Sequence, residues 1–214
     1  TQELKRIALL LRKRLVKASS EAKIPHLGSC LSCVDLLVVM YWSELLIDPS
    51  EPNDPNRDRF VLSKGHGAPI LFQVLAERGF FPLERLREIG SDGSVFHEHP
   101  PKPGYIPGIE AATGSLGHGL PVAIGSALSA KKDKNNRKVY VLISDGELNE
   151  GTTWESLMFA AHHKLNNLCV IIDYNKLQSL TFVSETIKIE PLKKKISSFG
   201  CEVKNINGHN ILQL

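Results

Sequence analysis

Long apolar runs are missing from this chain: no stretch approaches the roughly 20 consecutive apolar residues that a membrane-crossing helix needs. No secretory pattern stands at the front either. Thr1-Gln2-Glu3-Leu4 opens an amphipathic helix, and the absence of an initiator Met leaves the natural start open. Cysteine is scarce, with four residues at Cys30, Cys33, Cys169 and Cys201. Only the first two form a Cys-x-x-Cys pair, so no second pair completes a structural zinc site and no disulfide framework emerges. Buried apolar roles for Cys30 and Cys33, and a reducing cytoplasm, are the expectations. Charge of one sign is also lacking, the formal net being +3. The basic clusters Lys131-Lys132, Arg137-Lys138 and Lys193–Lys195 are short and carry no interleaved aromatics, which is the pattern of solvated faces. Neither nucleic acid nor membrane is therefore an expected partner. There is no internal repeat and no low-complexity linker, and 214 residues suffice for one large domain.

What is present is an alternation of helical patterns with short β-branched runs, which predicts an α/β fold with a mostly parallel sheet and helices on both faces. Residues 3–22 and 31–47 carry apolar side chains at helical spacing. Arg59 to Ser63 reads as a strand ending in Gly65-His66-Gly67, with a helix following to about Gly79. Val139 to Ile143 and Cys169 to Ile172 are near-continuous apolar runs, as strands buried on both faces require. Residues 152–165 between them read as helix, completing a βαβ unit. A helix over 190–199 stops at Gly200, and Cys201 to Ile206 reads as one more strand. Residues 92–118 are crowded with Gly, Pro and His and show no periodicity; so long a loop in a compact domain is usually functional.

The βαβ unit carries the chemistry. Its first strand ends in Ser144-Asp145-Gly146 and its second in Asp173-Tyr174-Asn175, so a carboxylate and an amide oxygen sit at one sheet edge, where open parallel sheets bind ligands. Oxygen donors of this kind suit a hard cation such as Mg²⁺, completed by water and phosphate oxygens. Gly146 lets backbone approach a phosphate closely. On spacing alone, a helix-capping Asp145 and a turn-forming Asn175 explain the pattern equally well.

The run Ser144-Asp145-Gly146-Glu147-Leu148-Asn149-Glu150-Gly151, continuing to Asp173-Tyr174-Asn175-Lys176-Leu177-Gln178-Ser179, resembles the thiamin diphosphate signature in its transketolase form. Ser144 departs from the usual Gly. The resemblance implies Asp145, the Asn175 side chain and the Leu177 carbonyl as ligands of Mg²⁺ (Ca²⁺ or Mn²⁺ substituting), with Gly146, Glu147 and Asn175 contacting the cofactor. Leu62-Ser63-Lys64-Gly65-His66-Gly67 is similar to the family segment whose His, here His66, contacts the diphosphate. By the same likeness His26 and His99 are catalytic histidines of the substrate channel, bonding sugar hydroxyls and the carbonyl, although Pro25 replaces a frequent Gly. His97 has no matched role. Pro107 to Gly119 resembles the wall beneath the cofactor, implying contacts from Gly114, Ser115 and Leu116; His118 stands where a Gln is frequent. The order of its glycines does not fit a dinucleotide loop. Glu150 matches a dimer-interface glutamate that connects active sites; otherwise it is an exposed residue in a first helical turn. Asn207-Gly208-His209-Asn210 resembles a fold-marking turn.

The resemblance runs from about residue 5 to residue 210 and matches only the diphosphate-binding half of the family. It implies a single domain over 1–214, shortened at its C-terminal end, with the pyrimidine-binding domain on a partner chain in an α2β2 assembly. Sugars or sugar phosphates are the implied substrates. Kin that make 1-deoxyxylulose phosphate or serve 2-oxo acid dehydrogenases share the scaffold, and a non-catalytic scaffold homologue is the alternative of another class. The three histidines favour transketolase.

Overall fold

The computed structural model describes residues 1–179 and 181–214. Three strands, β1 (Arg59–Leu62), β2 (Val139–Ser144) and β3 (Leu168–Asp173), pair in parallel in the order β1-β2-β3. Alternation of side chains along each strand divides the interior in two. Phe60, Leu62, Tyr140 and Leu142 point into one apolar cluster. Val61, Val139, Val141 and Ile143 point into the other. The first is closed by α1 (Gln2–Ala22), α3 (Val34–Val39) and α4 (Ala68–Arg78), and the second by α5 (Gly119–Lys132), α6 (Gly151–His162) and α8 (Leu192–Ser197). β2 is buried throughout, as its unbroken apolar run predicts, whereas β3, expected to be buried on both faces, is an edge strand that is only half-buried, with Cys169 exposed. A short α2 (Leu27–Ser32) and a single-turn α7 (Val183–Thr186) complete the α-helices of the described residues.

Register fixes the level of the strand tips. Leu62 pairs with Leu142, and Ser144 with Asp173. Beyond β1 the ladder continues, Ser63 and Lys64 both donating to the Leu142 carbonyl at 2.9 and 3.1 Å. The loops that leave the three carboxyl ends therefore start side by side.

Three other sequence expectations need correction. The helix expected over 31–47 is two pieces and a π-helical turn (Met40–Glu44), because Cys33 leaves helical geometry at φ −105°, ψ 10°. Its pattern survives because Val34, Leu37, Val38 and Tyr41 still enter one core. The helix expected over 190–199 shortens to α8, started by Glu190, whose carboxylate accepts the Leu192 N–H at 2.7 Å. The strand expected over 201–206 does not form: Cys201 and Val203 pack on the second cluster, but the segment is not paired with β3.

Residues 92–118 contain no helix or strand, as the composition predicts, yet the loop is firmly seated. Phe96 is 1% exposed and meets Phe72 and Phe81 with ring centroids 5.3 Å apart in both pairs. Gly108, at φ 86°, lies so close to Leu75 that a Cβ there would stand 2.6 Å from its Cδ2. Glu110 is nearly buried against Arg57 at 2.5 Å, which ties the loop's end to the start of β1. Phe96 should behave as core: Phe96→Ala is expected to cost about 3–5 kcal/mol of unfolding free energy in urea titrations. A cost below about 1 kcal/mol, the surface range, would show the loop to be loosely attached.

Candidate functional site

Each strand tip delivers one part of the site. After β1 the chain turns through Gly65–Gly67, and Gly65 is required there: a Cβ would stand 2.8 Å from the backbone of both Thr113 and Gly114. That contact presses the His66 turn onto the 113–117 segment. Thr113 reinforces it by donating its hydroxyl to the Leu62 carbonyl at 2.6 Å. His26 heads α2 in a left-handed conformation, φ 62°, uncommon for a residue with a side chain. Its ring lies 5.4 Å from that of His66 and 6.5 Å from that of His99. Gly114 packs in turn on His99, where a Cβ would come within 3.1 Å of the ring. Far apart in sequence, the three histidines form one group.

After β2, Asp145 is 2% exposed, and its Oδ2 accepts the Lys176 N–H from the β3 tip at 2.8 Å. Asn175, one residue earlier, is exposed and its Oδ1 accepts the Leu177 N–H at 2.9 Å. The Asp145 carboxylate and the Asn175–Leu177 turn thus share one corner of the sheet edge, with the exposed Leu177 beside them. Burial raises the Asp145 carboxyl above its ordinary range, against the pull of the Lys176 and Gly146 amides. Gly146 has only ordinary contacts around its missing Cβ, the nearest at 3.7 Å, and Leu116 approaches the same spot at 3.9 Å. Packing within the chain does not demand this glycine, since a Cβ there would meet only ordinary van der Waals neighbours. Ser115 is exposed on the same segment.

Beneath the rim lies a buried ion pair whose role sequence reading missed. Lys64, 0% exposed, donates to Asp173 Oδ2 at 2.6 Å and to the Ser29 carbonyl at 3.0 Å. Burial works to strip its proton, but Cys33, Asp173 and Cys30 beside it together hold it raised. Ser32 donates to the other Asp173 oxygen at 2.7 Å and is 3.5 Å from Asn175 Nδ2. The signal was a Lys and an Asp directly abutting apolar strands, since charges in such places must pair. Glu147, expected against the cofactor, is 0% exposed, and its carboxylate accepts from Ser63 and from the Gly117 and Ser144 amides. Glu150 is exposed at the head of α6 beside Gly117, and His118 is exposed with Nδ1 3.0 Å from the Leu116 carbonyl. Cys30 and Cys33 are buried, with the Cys30 thiol pushed up to about 12 by burial, as inert core residues should be. Among the described residues no three His, Cys, Asp or Glu side chains gather as a metal cage.

The family model described as transketolase, thiamine diphosphate binding domain, matches residues 4–214. The chain belongs to the transketolase family. One subunit of the apulose-4-phosphate transketolase of Actinobacillus succinogenes is 42% identical over 210 residues, covering 98% of this chain and 76% of that protein. The 6-deoxy-6-sulfo-D-fructose transketolase subunit SqwG of a Clostridium species is 38% identical over 208 residues, 97% of this chain and 75% of its own length. Among solved structures, the transketolase of Campylobacter jejuni superposes with a TM-score of 0.91 at 33% identity, over 99% of this chain. The chain spans about a third of that transketolase (34%) and about three quarters of the two subunits. The α/β fold with a parallel sheet covered on both faces is the transketolase fold expected from the sequence.

Burial, aided by Lys64 and the other two histidines, pushes His66 down to about 4. The neutral ring is therefore the folded form, whereas the unfolded chain protonates it near 6.5. The sign follows: His66 contributes stability that is complete above about pH 6.5 and is lost as pH falls toward 4. Its ring protons should titrate near pH 4 by NMR in the folded chain, and a midpoint near 6.5 would contradict the burial.

Proposed function

We propose that this chain is the diphosphate-side subunit of a split transketolase, transferring a two-carbon ketol unit from a ketose to an aldose together with a second chain. The observation that carries this reading is the Asp145 contact with the Lys176 amide, which brings the carboxylate to the turn bearing Asn175 and Leu177. One carboxylate, one amide oxygen and one carbonyl make a hard but incomplete donor set. Asp145, Asn175 and the Leu177 carbonyl would hold Mg²⁺ there, with water and a diphosphate supplying the oxygens the chain does not. The burial of the Asp145 carboxylate suits a cation arriving to neutralise it, and the missing side chain of Gly146 suits close approach of a phosphate.

When bound, thiamine diphosphate supplies the nucleophilic carbon that carries the ketol unit. The residues of this chain do the rest on their side. His66, neutral at pH 7, offers one N–H to a diphosphate oxygen. Gly114, Ser115 and Leu116 line the wall beside it, and Gly146 leaves room for close approach. His26 and His99, their ring centroids 6.5 Å apart, hydrogen-bond sugar hydroxyls and the carbonyl oxygen and exchange protons there. Glu150, exposed next to Gly117, belongs to the contact with a neighbouring subunit.

The relatives named as subunits support dependence on a partner. The partner brings the pyrimidine-binding domain, in an α2β2 assembly, and sugars or sugar phosphates are the substrates. A cytoplasmic location fits the four free thiols; no helix of the described residues is long and apolar enough to cross a membrane.

The isolated chain should show no measurable ketol transfer in a coupled assay, and full activity from it alone would defeat the proposed division of labour. With the partner present, Asp145→Ala should abolish Mg²⁺-dependent retention of thiamine diphosphate in calorimetry. Binding unchanged in that variant would remove Asp145 from the ligand set.

A further inference from the structure

Three hydrogen-bond donors, from the turn after β1, the 113–117 segment and the end of β2, converge on an inward-facing carboxylate. Ser63 donates its hydroxyl to Glu147 Oε1 at 2.5 Å, and the Gly117 N–H reaches the same oxygen at 3.0 Å. The Ser144 N–H donates to Oε2 at 2.9 Å. The backbone of Glu147 is engaged too, its N–H donating to Ser144 Oγ at 3.3 Å and its carbonyl accepting from Thr153 at 2.7 Å. The side chain is 0% exposed. Each donor adjoins a site element: Ser63 leads into the Lys64–His66 turn, Gly117 ends the Gly114–Leu116 wall, and Ser144 precedes Asp145. The close approach is built into the neighbours, since a Cβ on Gly119 would collide with Ser63, and one on Gly117 would stand 2.8 Å from the Cβ of Glu150.

From this convergence we infer that Glu147 is a positioning residue for the diphosphate pocket: its inward carboxylate sets the spacing of the His66 turn, the 114–117 wall and Asp145. The role rests on the transketolase function proposed for this site. The need is for an acceptor and not for bulk. Ionised Glu accepts only, so two oxygens satisfy all three donors, whereas Gln of the same shape must turn an NH₂ toward at least one donor. A residue that merely filled space would tolerate that exchange.

Glu147→Gln in the full chain is therefore the test, read by amide hydrogen exchange without ligand and, with the partner present, by calorimetry with Mg²⁺ and thiamine diphosphate. Exchange at Ser144 and Gly117 should quicken, and the Kd should rise, each by about tenfold, the scale of one lost buried bond to a charged acceptor. Exchange in Val139–Ile143 should stay as in the parent. Unchanged exchange at both amides overturns the inference. Faster exchange with an unchanged Kd overturns it as well, leaving Glu147 a structural residue only. Should Glu147→Gln not fold, Ser63→Ala carries the same test, with the Gly117 and Ser144 amides expected to loosen and unaltered exchange counting against the inference. If the parent chain together with its partner binds no thiamine diphosphate, the proposed function fails, while the exchange comparison still decides whether the three segments hang on Glu147.

Discussion

Parallel pairing in fixed register is the constraint on which the site depends. Because Leu62 lies opposite Leu142 and Ser144 opposite Asp173, three loops leave the sheet at one level. A slip of one residue would send Asp145 to the other side of its strand and exchange the two apolar clusters. Burial of the central strand on both faces sets the register, since every residue from Val139 to Ile143 has a cluster to enter. Chemistry at the rim is a consequence of hydrophobic packing below it.

Charge is then used to lock the two ends of the sheet. At the carboxyl edge, Lys64 and Asp173 pair beneath the histidines. At the amino edge, Arg57 and Arg59 hold Glu110, and Asp58 accepts the N–H groups of Leu46 and Lys138 at 3.0 and 2.7 Å. Pairs of this kind add little net stability over apolar contacts, but losing one partner is costly. Their value here is in fixing direction: each joins a loop to a strand end that hydrophobic contact alone would leave free to pivot.

Legibility in the sequence follows the physical source of each feature. The three strands are readable because burial leaves an unmistakable apolar run, and Asp145, Asn175 and the histidines stand out as polar groups at the ends of such runs or among glycines. Cys33 gives no warning that it breaks a helix, since the break preserves the buried face. The segment 201–206 alternates as a strand should, but alternation says nothing about a hydrogen-bonding neighbour. Glu147 reads outward because its neighbours Asp145 and Gly146 are at the rim; whether a side chain turns in or out of a tight turn depends on donors brought from loops distant in the chain.

The backbone of His26 sits in the left-handed region. Any substitution there alters two quantities together, the imidazole and the torsional cost of holding a branched or bulky residue at positive φ, which is of order 1–3 kcal/mol. Alanine would inherit much of that torsional cost while removing the ring, whereas asparagine or glycine would relieve it. The apparent worth of this histidine in any scan will therefore depend on which replacement is chosen, and only residues at ease in that conformation report the ring by itself.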